Sequence, residues 1–252
     1  MIPRDISGVW RDIAAALGLL TRLPMPLVQQ PRGAAAAWAW PIVGLIVGAI
    51  AAVVGAVLIA LGLPVMLAAV AVLLTGVVAT GALHEDGLAD TVDGFFGGWT
   101  PARRLEIMKD SHIGSYGTLA LVLSVLARWA ALCAVLPVSV WAVVAVAAMS
   151  RAPMAVVMWA LPNARGKGLS QSVGRPDVRA VAVAVALALI FGVLAVELAA
   201  TLAVAGCVAA ATLGIMAMAR ARIGGQTGVV LGATQQVAEV VALAVLAGFF
   251  AG

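Results

Sequence analysis

Residues 38–61 read WAWPIVGLIVGAIAAVVGAVLIAL, an apolar run without a single charged side chain. About 20 such residues, rising 1.5 Å each, cross the hydrocarbon core of a bilayer, and a helix is the form in which an isolated segment pairs its own backbone groups there. The stretch predicts a transmembrane helix. Six more runs of comparable length follow, near 64–83, 117–136, 139–161, 180–198, 200–219 and 229–250. The fifth and sixth are the least sharply divided, because Glu197 alone interrupts the apolar residues from 180 to 219. A mean hydropathy of +1.13, with 64% hydrophobic and 10% charged residues, excludes an ordinary soluble domain. The predicted fold class is all-α: a polytopic membrane helix bundle of about seven spans, forming one integral membrane domain over residues 1–252.

The cations sort with these spans. Arg4, Arg11, Arg22 and Arg32 precede the first span, and Arg103, Arg104 and Lys109 follow the second. Arg165, Lys167, Arg175 and Arg179 follow the fourth, while Arg220 and Arg222 follow the sixth. Only Arg128 and Arg151 fall inside spans. The positive-inside rule then places the N-terminus and the charged loops in the cytoplasm and the C-terminus outside. Before the first span, Ile6, Trp10, Ile13, Leu17 and Leu20 recur every three or four residues, with Arg4, Arg11, Asp12 and Arg22 on or near the other side. This pattern predicts an amphipathic helix on the cytoplasmic interface within residues 1–33, ended by Leu23–Pro26. The N-terminus does not read as a signal peptide, so insertion is expected to begin with the first span. Cys133 and Cys207 sit in apolar runs without metal or disulfide spacing and read as small packing residues. The net charge of +4 comes without a basic stripe interleaved with aromatics, so no nucleic-acid partner is expected. Membrane lipid is the expected surrounding.

The chemistry concentrates at residues 84–94, HEDGLADTVDG, where Glu85, Asp86, Asp90 and Asp93 fall within nine positions of a chain that has 11 acids in all. On a helix, Asp86, Asp90 and Asp93 stand at i, i+4 and i+7 and share a face. Like charges so arranged call for a cation, and hard carboxylate oxygens suit Mg²⁺ together with substrate phosphates. The plain alternative is a solvated helix end. The segment 84–116, read as an acidic catalytic loop, continues with Thr100 and Pro101 as an N-cap and first helical position, which predicts a short helix over 101–110. Lys109 and Asp110 at its end would face the cluster if the loop folds back, Lys109 on a phosphate and Asp110 on metal or an attacking hydroxyl. A surface ion pair is the alternative for these two. His84 and His112 are secondary candidates. The basic loop 162–179 mixes Arg165, Lys167 and Arg175 with glycines and suits phosphate binding, although topology alone also places cations there. Arg128, Arg151 and Glu239 lie at similar depth inside spans, as an ion-paired network or as a hold on an anionic part of a substrate.

Taken together, LHEDGLADTVDG at 83–94, LEIMKDSHIGSYG at 105–117 and IGGQTGVVLGATQQVAE at 223–239 resemble the cobalamin synthase family, the adenosylcobinamide-GDP ribazoletransferases. The resemblance extends over most of the chain, including TRLP at 21–24. It implies a Mg²⁺-dependent enzyme of the bacterial cytoplasmic (inner) membrane, with its active site on the cytoplasmic side. Such an enzyme joins adenosylcobinamide-GDP to α-ribazole or α-ribazole 5′-phosphate and releases GMP, completing the nucleotide loop of cobalamin. Carried onto this chain, the resemblance implies metal at Glu85, Asp86, Asp90 and Asp93, catalysis by Asp86, Asp90, Asp93, Lys109 and Asp110, and substrate contacts from His84, Arg128, Arg151, Arg165, Lys167 and Thr227. It is compatible with a homo-oligomer or with association with other cobalamin-assembly enzymes. One position departs from the pattern: members usually carry an aspartate after Thr227 and Gly228, where this chain has Val229. If that acid serves metal or substrate, activity here is impaired.

Three other readings compete. A membrane prenyltransferase also holds Mg²⁺ and diphosphate with aspartates, but normally shows two such motifs, whereas the loops at 162–179 and 220–228 contain only Asp177. A CDP-alcohol phosphotransferase performs similar chemistry, yet its alanine–arginine pair and long glycine spacing are absent. A cation transporter would place its site near the midplane rather than at the interface.

Overall fold

The computed structural model describes residues 3, 5–26 and 28–251; Arg4, assigned above to the cytoplasmic face, lies outside them. Among the described residues every regular element is a helix. Among the described residues six helical segments are long and apolar enough to cross a membrane, seven if a pair bent by 87° is counted as one span.

Helix α1, Ile6–Leu20, opens at Asp5, whose carboxylate accepts the Gly8 N–H. Its apolar stripe divides: Leu17 and Leu20 are buried in protein, whereas Ile6 and Trp10 remain exposed, as a helix lying in an interface requires. Asp12, assigned to the polar side, is instead buried. Its carboxylate accepts hydrogen bonds from the Arg32 guanidinium and the Trp38 indole, both at 2.8 Å, because the segment after Pro26 folds back over α1.

The first span starts before Trp38. A 3-10 segment, Gly33–Ala39, runs directly into α2, Trp40–Ala60, with Pro41 in the first turn, where its missing N–H leaves nothing unpaired. Next, α3, Val65–Thr80, meets α4, Leu83–Gly97, at 87°. Gly81 and Ala82 make the turn with φ of 65° and 57°, and a Cβ at Gly81 would stand 2.7 Å from the Arg22 side chain. Only glycine combines that conformation with that contact. The stretch 84–116 is therefore mostly helix rather than loop. After α4 come α5, Pro101–Ile107, capped by the Thr100 side chain, and α6, Ser115–Val135. Helix α5 ends short of Asp110 because the N–H groups of Lys109 and Asp110 turn back to the carbonyls of Glu106 and Ile107.

The fourth span is broken in the middle, into α7, Trp141–Met149, and α8, Ala152–Ala160. Pro153 has no N–H to give the preceding turn. The nearby Ala147 carbonyl accepts the Arg151 guanidinium at 2.7 Å. The basic loop holds a short helix, α9, Leu169–Val173; it is followed by α10, Val178–Val196, α11, Leu198–Ile223, and α12, Gly228–Ala251. The run from 180 to 219 does divide at Glu197, whose φ of 74° interrupts the helix. The α7–α8 span is 89% buried and α12 61%, against 28% for α6, α10 and α11. These two central elements, with α4 packed on α12 and α6, therefore present their polar residues to protein rather than to lipid. Helices α4 and α12 cross closely: a Cβ at Gly87 would lie 2.8 Å from the Val229 carbonyl oxygen and 3.0 Å from the Gly232 Cα.

Candidate active site

A cavity of about 210 Å³ is bounded by α1, α2, α4, α8, the basic loop and the start of α12. His84, Asp86, Arg165, Lys167 and Thr227, drawn from three separate stretches of sequence, all line it. Its remaining wall is largely apolar and includes Leu19, Leu20, Trp40, Met154 and Met158. Val229 faces the same space.

The basic loop is held in place by a backbone strut. The Gln226 N–H donates to the Pro162 carbonyl and the Ala164 N–H to the Gln226 carbonyl, each at 2.8 Å. The Asn163 side-chain oxygen then accepts the N–H groups of Arg165 and Gly166 at 2.9 Å. A Cβ at Gly225 would come within 2.2 Å of the Pro162 oxygen, so the strut depends on glycine there. It places the Arg165 guanidinium so that it donates to the Leu105 carbonyl of α5 at 3.3 Å and feels the charge of Asp90 on α4. Burial holds the Arg165 guanidinium below its ordinary range, and the Asp90 carboxylate opposes that shift. Asp90, half-buried, also feels the charges of Asp86 and Asp93. Among the described residues neither Asp86 nor Asp90 has a protein hydrogen bond or ion pair through its side chain.

The four clustered carboxylates do not converge. Glu85 turns inward, where Arg128 reaches it at 3.2 Å and the Gln236 amide donates at 3.2 Å. Asp93 accepts the N–H groups of Gly114 and Gly117 at 2.7 and 2.9 Å, so it caps the start of α6 from a neighbouring helix. A side chain at either glycine would collide with it. Among the described residues no group of three or more His, Cys, Asp or Glu is placed to hold a metal ion. Of Glu85, Asp86, Asp90 and Asp93, the first and last are engaged by protein partners, while Asp86 and Asp90 are not. Successive helical side chains diverge by about 100°, which separates Glu85 from Asp86, while the start of α6 claims Asp93.

Behind this cavity lies a smaller one of about 50 Å³, lined by Glu85, Arg128, Arg151, Gln235, Gln236 and Glu239. Arg128 bridges Glu85 and Glu239, at 3.2 and 3.3 Å, while the Gln235 amide donates to Glu239 at 2.5 Å and to Ser150 at 3.1 Å. Among the described residues Arg151 contributes its bond to Ala147 and no ion pair. Arg128 and Arg151, both expected to touch substrate, thus sit beyond His84, which is buried and lines both cavities. Lys109 and Asp110 do not reach either cavity. Asp110 is exposed and pairs with His112 at 2.8 Å, whose hydrogen bonds hold its carboxyl below the usual range; with Asp93 the two border a separate open hollow. The residues that sequence reasoning passed over are Asn163, Gln226, Gln235 and Gln236. The two adjacent glutamines inside an apolar span were a readable signal, since polar groups in lipid need partners.

These features define an all-α integral membrane enzyme with a charged cavity between its helices and loops. Residues 12–247 match the family model described as cobalamin-5-phosphate synthase. The chain is 42% identical to the adenosylcobinamide-GDP ribazoletransferase of Bradyrhizobium diazoefficiens over 100% of both proteins. It is 41% identical to the protein of that name from Azorhizobium caulinodans, over 93% of this chain and 94% of that one. Against the Mesorhizobium japonicum protein of the same name the identity is 43%, over 96% and 94%. The chain belongs to the cobalamin-5-phosphate synthase family and is a transferase of cobalamin biosynthesis. No solved structure matches it.

Proposed function

We propose that the protein joins adenosylcobinamide-GDP to α-ribazole or its 5′-phosphate and releases GMP, at the cytoplasmic face of the bacterial inner membrane. The observation that carries this reading is the single cavity in which Asp86, Arg165, Lys167 and Thr227 meet beside Asp90. Cations and the unpaired carboxylate of Asp86 facing one space, with Asp90 close by, suit a phosphorylated substrate and a nucleophile that must lose a proton. The orientation rests on the distribution of the cations across the spans.

The ribazole 3′-hydroxyl attacks the phosphorus attached to cobinamide. A new oxygen–phosphorus bond forms, the bond to the GMP phosphate breaks with its electron pair, and Asp90 receives the hydroxyl proton. Arg165 and Lys167 bind the phosphate oxygens, Arg165 as a planar fork and Lys167 as a mobile point charge. The N-terminus of α12, where Thr227 accepts the N–H groups of Val230 and Leu231, adds the positive end of its dipole. His84 and Thr227 line the wall against which the nucleotide is oriented. Asp86 and Asp90, a helical turn apart and without protein partners, fit Mg²⁺, which is commonly held by one or two carboxylates plus substrate phosphates. Bound there, it would neutralise the diphosphate and the departing GMP.

Purified protein in proteoliposomes, given both substrates and Mg²⁺, is expected to release GMP, and Asp90→Asn to reduce that release by at least about 100-fold. Full turnover by Asp90→Asn removes the role assigned to Asp90. Metal flux without GMP release replaces the transferase by a transporter.

A further inference from the structure

We infer that the apolar part of the main cavity is the binding site for the base of the acceptor nucleoside, a flat bicyclic aromatic ring with no donor on its edge. This rests on the transferase reading above. The charged groups come from the start of α4 and from the basic loop, whereas α1, α2 and α8 contribute Leu19, Leu20, Trp40, Met154 and Met158. Trp40, Met154 and Met158 are buried against the protein core, which fixes the shape of that wall.

Size and polarity both select the occupant. The cavity of about 210 Å³ exceeds the roughly 150 Å³ that accommodates a benzene ring, yet falls below the roughly 300–1,000 Å³ of sites that enclose drug-sized ligands. A corrin macrocycle does not fit; it must stay outside while only the phosphate end of that substrate reaches Arg165 and Lys167. Two bases take part in the reaction. Guanine carries ring-edge donors and acceptors, and against this wall they would be desolvated without partners. Asp86, the only carboxylate lining the cavity among the described residues, faces the diphosphate. Dimethylbenzimidazole presents two methyl groups and a carbon edge instead, and thioether and indole surfaces pack favourably on such a ring. The site thereby orders the reaction spatially: the ribazole base sits inside, with its ribose directed at Asp86 and Asp90, and the guanine stays at the rim.

The test uses full-length protein in which Cys133 and Cys207 are replaced by alanine and Met154→Cys places one thiol in the wall. α-Ribazole and free 5,6-dimethylbenzimidazole should slow alkylation of that thiol several-fold, whereas GDP and GMP should not. Protection by the guanine nucleotides, or by no compound, overturns the inference. In parallel, Met158→Gln should raise the KM for α-ribazole about 10-fold and leave that for adenosylcobinamide-GDP within about two-fold. It should also erode the wild-type preference for α-ribazole over its analogue lacking both methyl groups, on the order of 10- to 200-fold in kcat/KM. A KM effect confined to adenosylcobinamide-GDP, or equal for both substrates, overturns the assignment while leaving the transferase intact. Absence of GMP release by the wild type would instead refute the reading on which it rests. The thiol protection is measured without turnover and stands if Met158→Gln fails to fold.

Discussion

Glu85 and Asp86 are neighbours on α4 and face opposite fates. Glu85 is held by Arg128 and Gln236 within a compact group that also takes in Glu239 and Gln235. Asp86 lines the larger cavity, with cations near it and no protein partner among the described residues. The two cavities meet at His84, yet in one Arg128 is paired with Glu85 and Glu239, and in the other Asp86 is left without a protein partner among the described residues. A buried charge that the protein has already paired is costly to strip of its partner; a charge held near its complement without closing on it can bind. Residue type alone does not distinguish the two, since both are carboxylates one position apart.

The sharpest way to break this contrast is at Arg128. Arg128→Leu takes from the half-buried Glu85 and Glu239 the ion pair they share and leaves Arg151 as the cation near them; removing one partner of a buried set costs up to roughly 3–5 kcal/mol. Thermal unfolding in detergent should show it, and adding Glu85→Gln and Glu239→Gln should recover part of the loss. Unchanged stability with a raised substrate KM would instead place Arg128 in the binding site. Asp86→Asn should do the opposite: an unaltered melting temperature, with GMP release reduced by roughly two orders of magnitude and a higher Mg²⁺ requirement. A stability loss without a change in Mg²⁺ dependence would move Asp86 to the structural side.

Asp93 extends the comparison along α4. Asp93→Ala removes two charge-assisted hydrogen bonds at the start of α6 and should destabilise by about 2–3 kcal/mol. Activity per folded molecule should fall far less than in Asp86→Asn. The reverse ranking, with activity lost and stability kept, would return Asp93 to the metal set.

These outcomes also mark where sequence was sufficient. Apolar length located six helices able to span and the bent pair α3–α4 that makes up the seventh run, because lipid imposes a one-dimensional rule on each segment separately. The same rule says nothing about an internal turn such as Gly81–Ala82, which depends on Arg22 packing beneath it. Helical spacing correctly put the acidic cluster on a helix, and it grouped Asp86 with Asp90. It also grouped Asp93 with them, because nothing local reveals that Gly114 and Gly117, more than twenty residues on, bring their N–H groups to that carboxylate. The glycines of IGGQTG were visible as a motif. Their use, admitting the Pro162 carbonyl so that the loop carrying Arg165 is strapped to α12, requires two segments some sixty residues apart. Asp12 was misplaced for the same reason: its partners, Arg32 and Trp38, arrive from a later fold-back.

The smallest effect is predicted at Val229, where the two halves of the cavity meet. The residue is half-buried in the first turn of α12 and lines the space shared by Asp86, Arg165 and Lys167. An acid in a first helical turn gains about 0.3–1 kcal/mol from the dipole, and the nearby cations offset the repulsion from Asp86. Val229→Asp should therefore fold normally and, by adding a hard oxygen ligand beside Asp86, lower the Mg²⁺ concentration for half-maximal GMP release by roughly two- to five-fold. Titration of GMP release against Mg²⁺ measures it. If Mg²⁺ dependence stays fixed while the KM for α-ribazole rises, Val229 belongs to the apolar wall, and its side chain serves the base rather than standing in for a missing metal ligand. In that case the chain has exchanged one carboxylate of its charged region for surface in its apolar one, and Asp86 and Asp90 suffice for the ion.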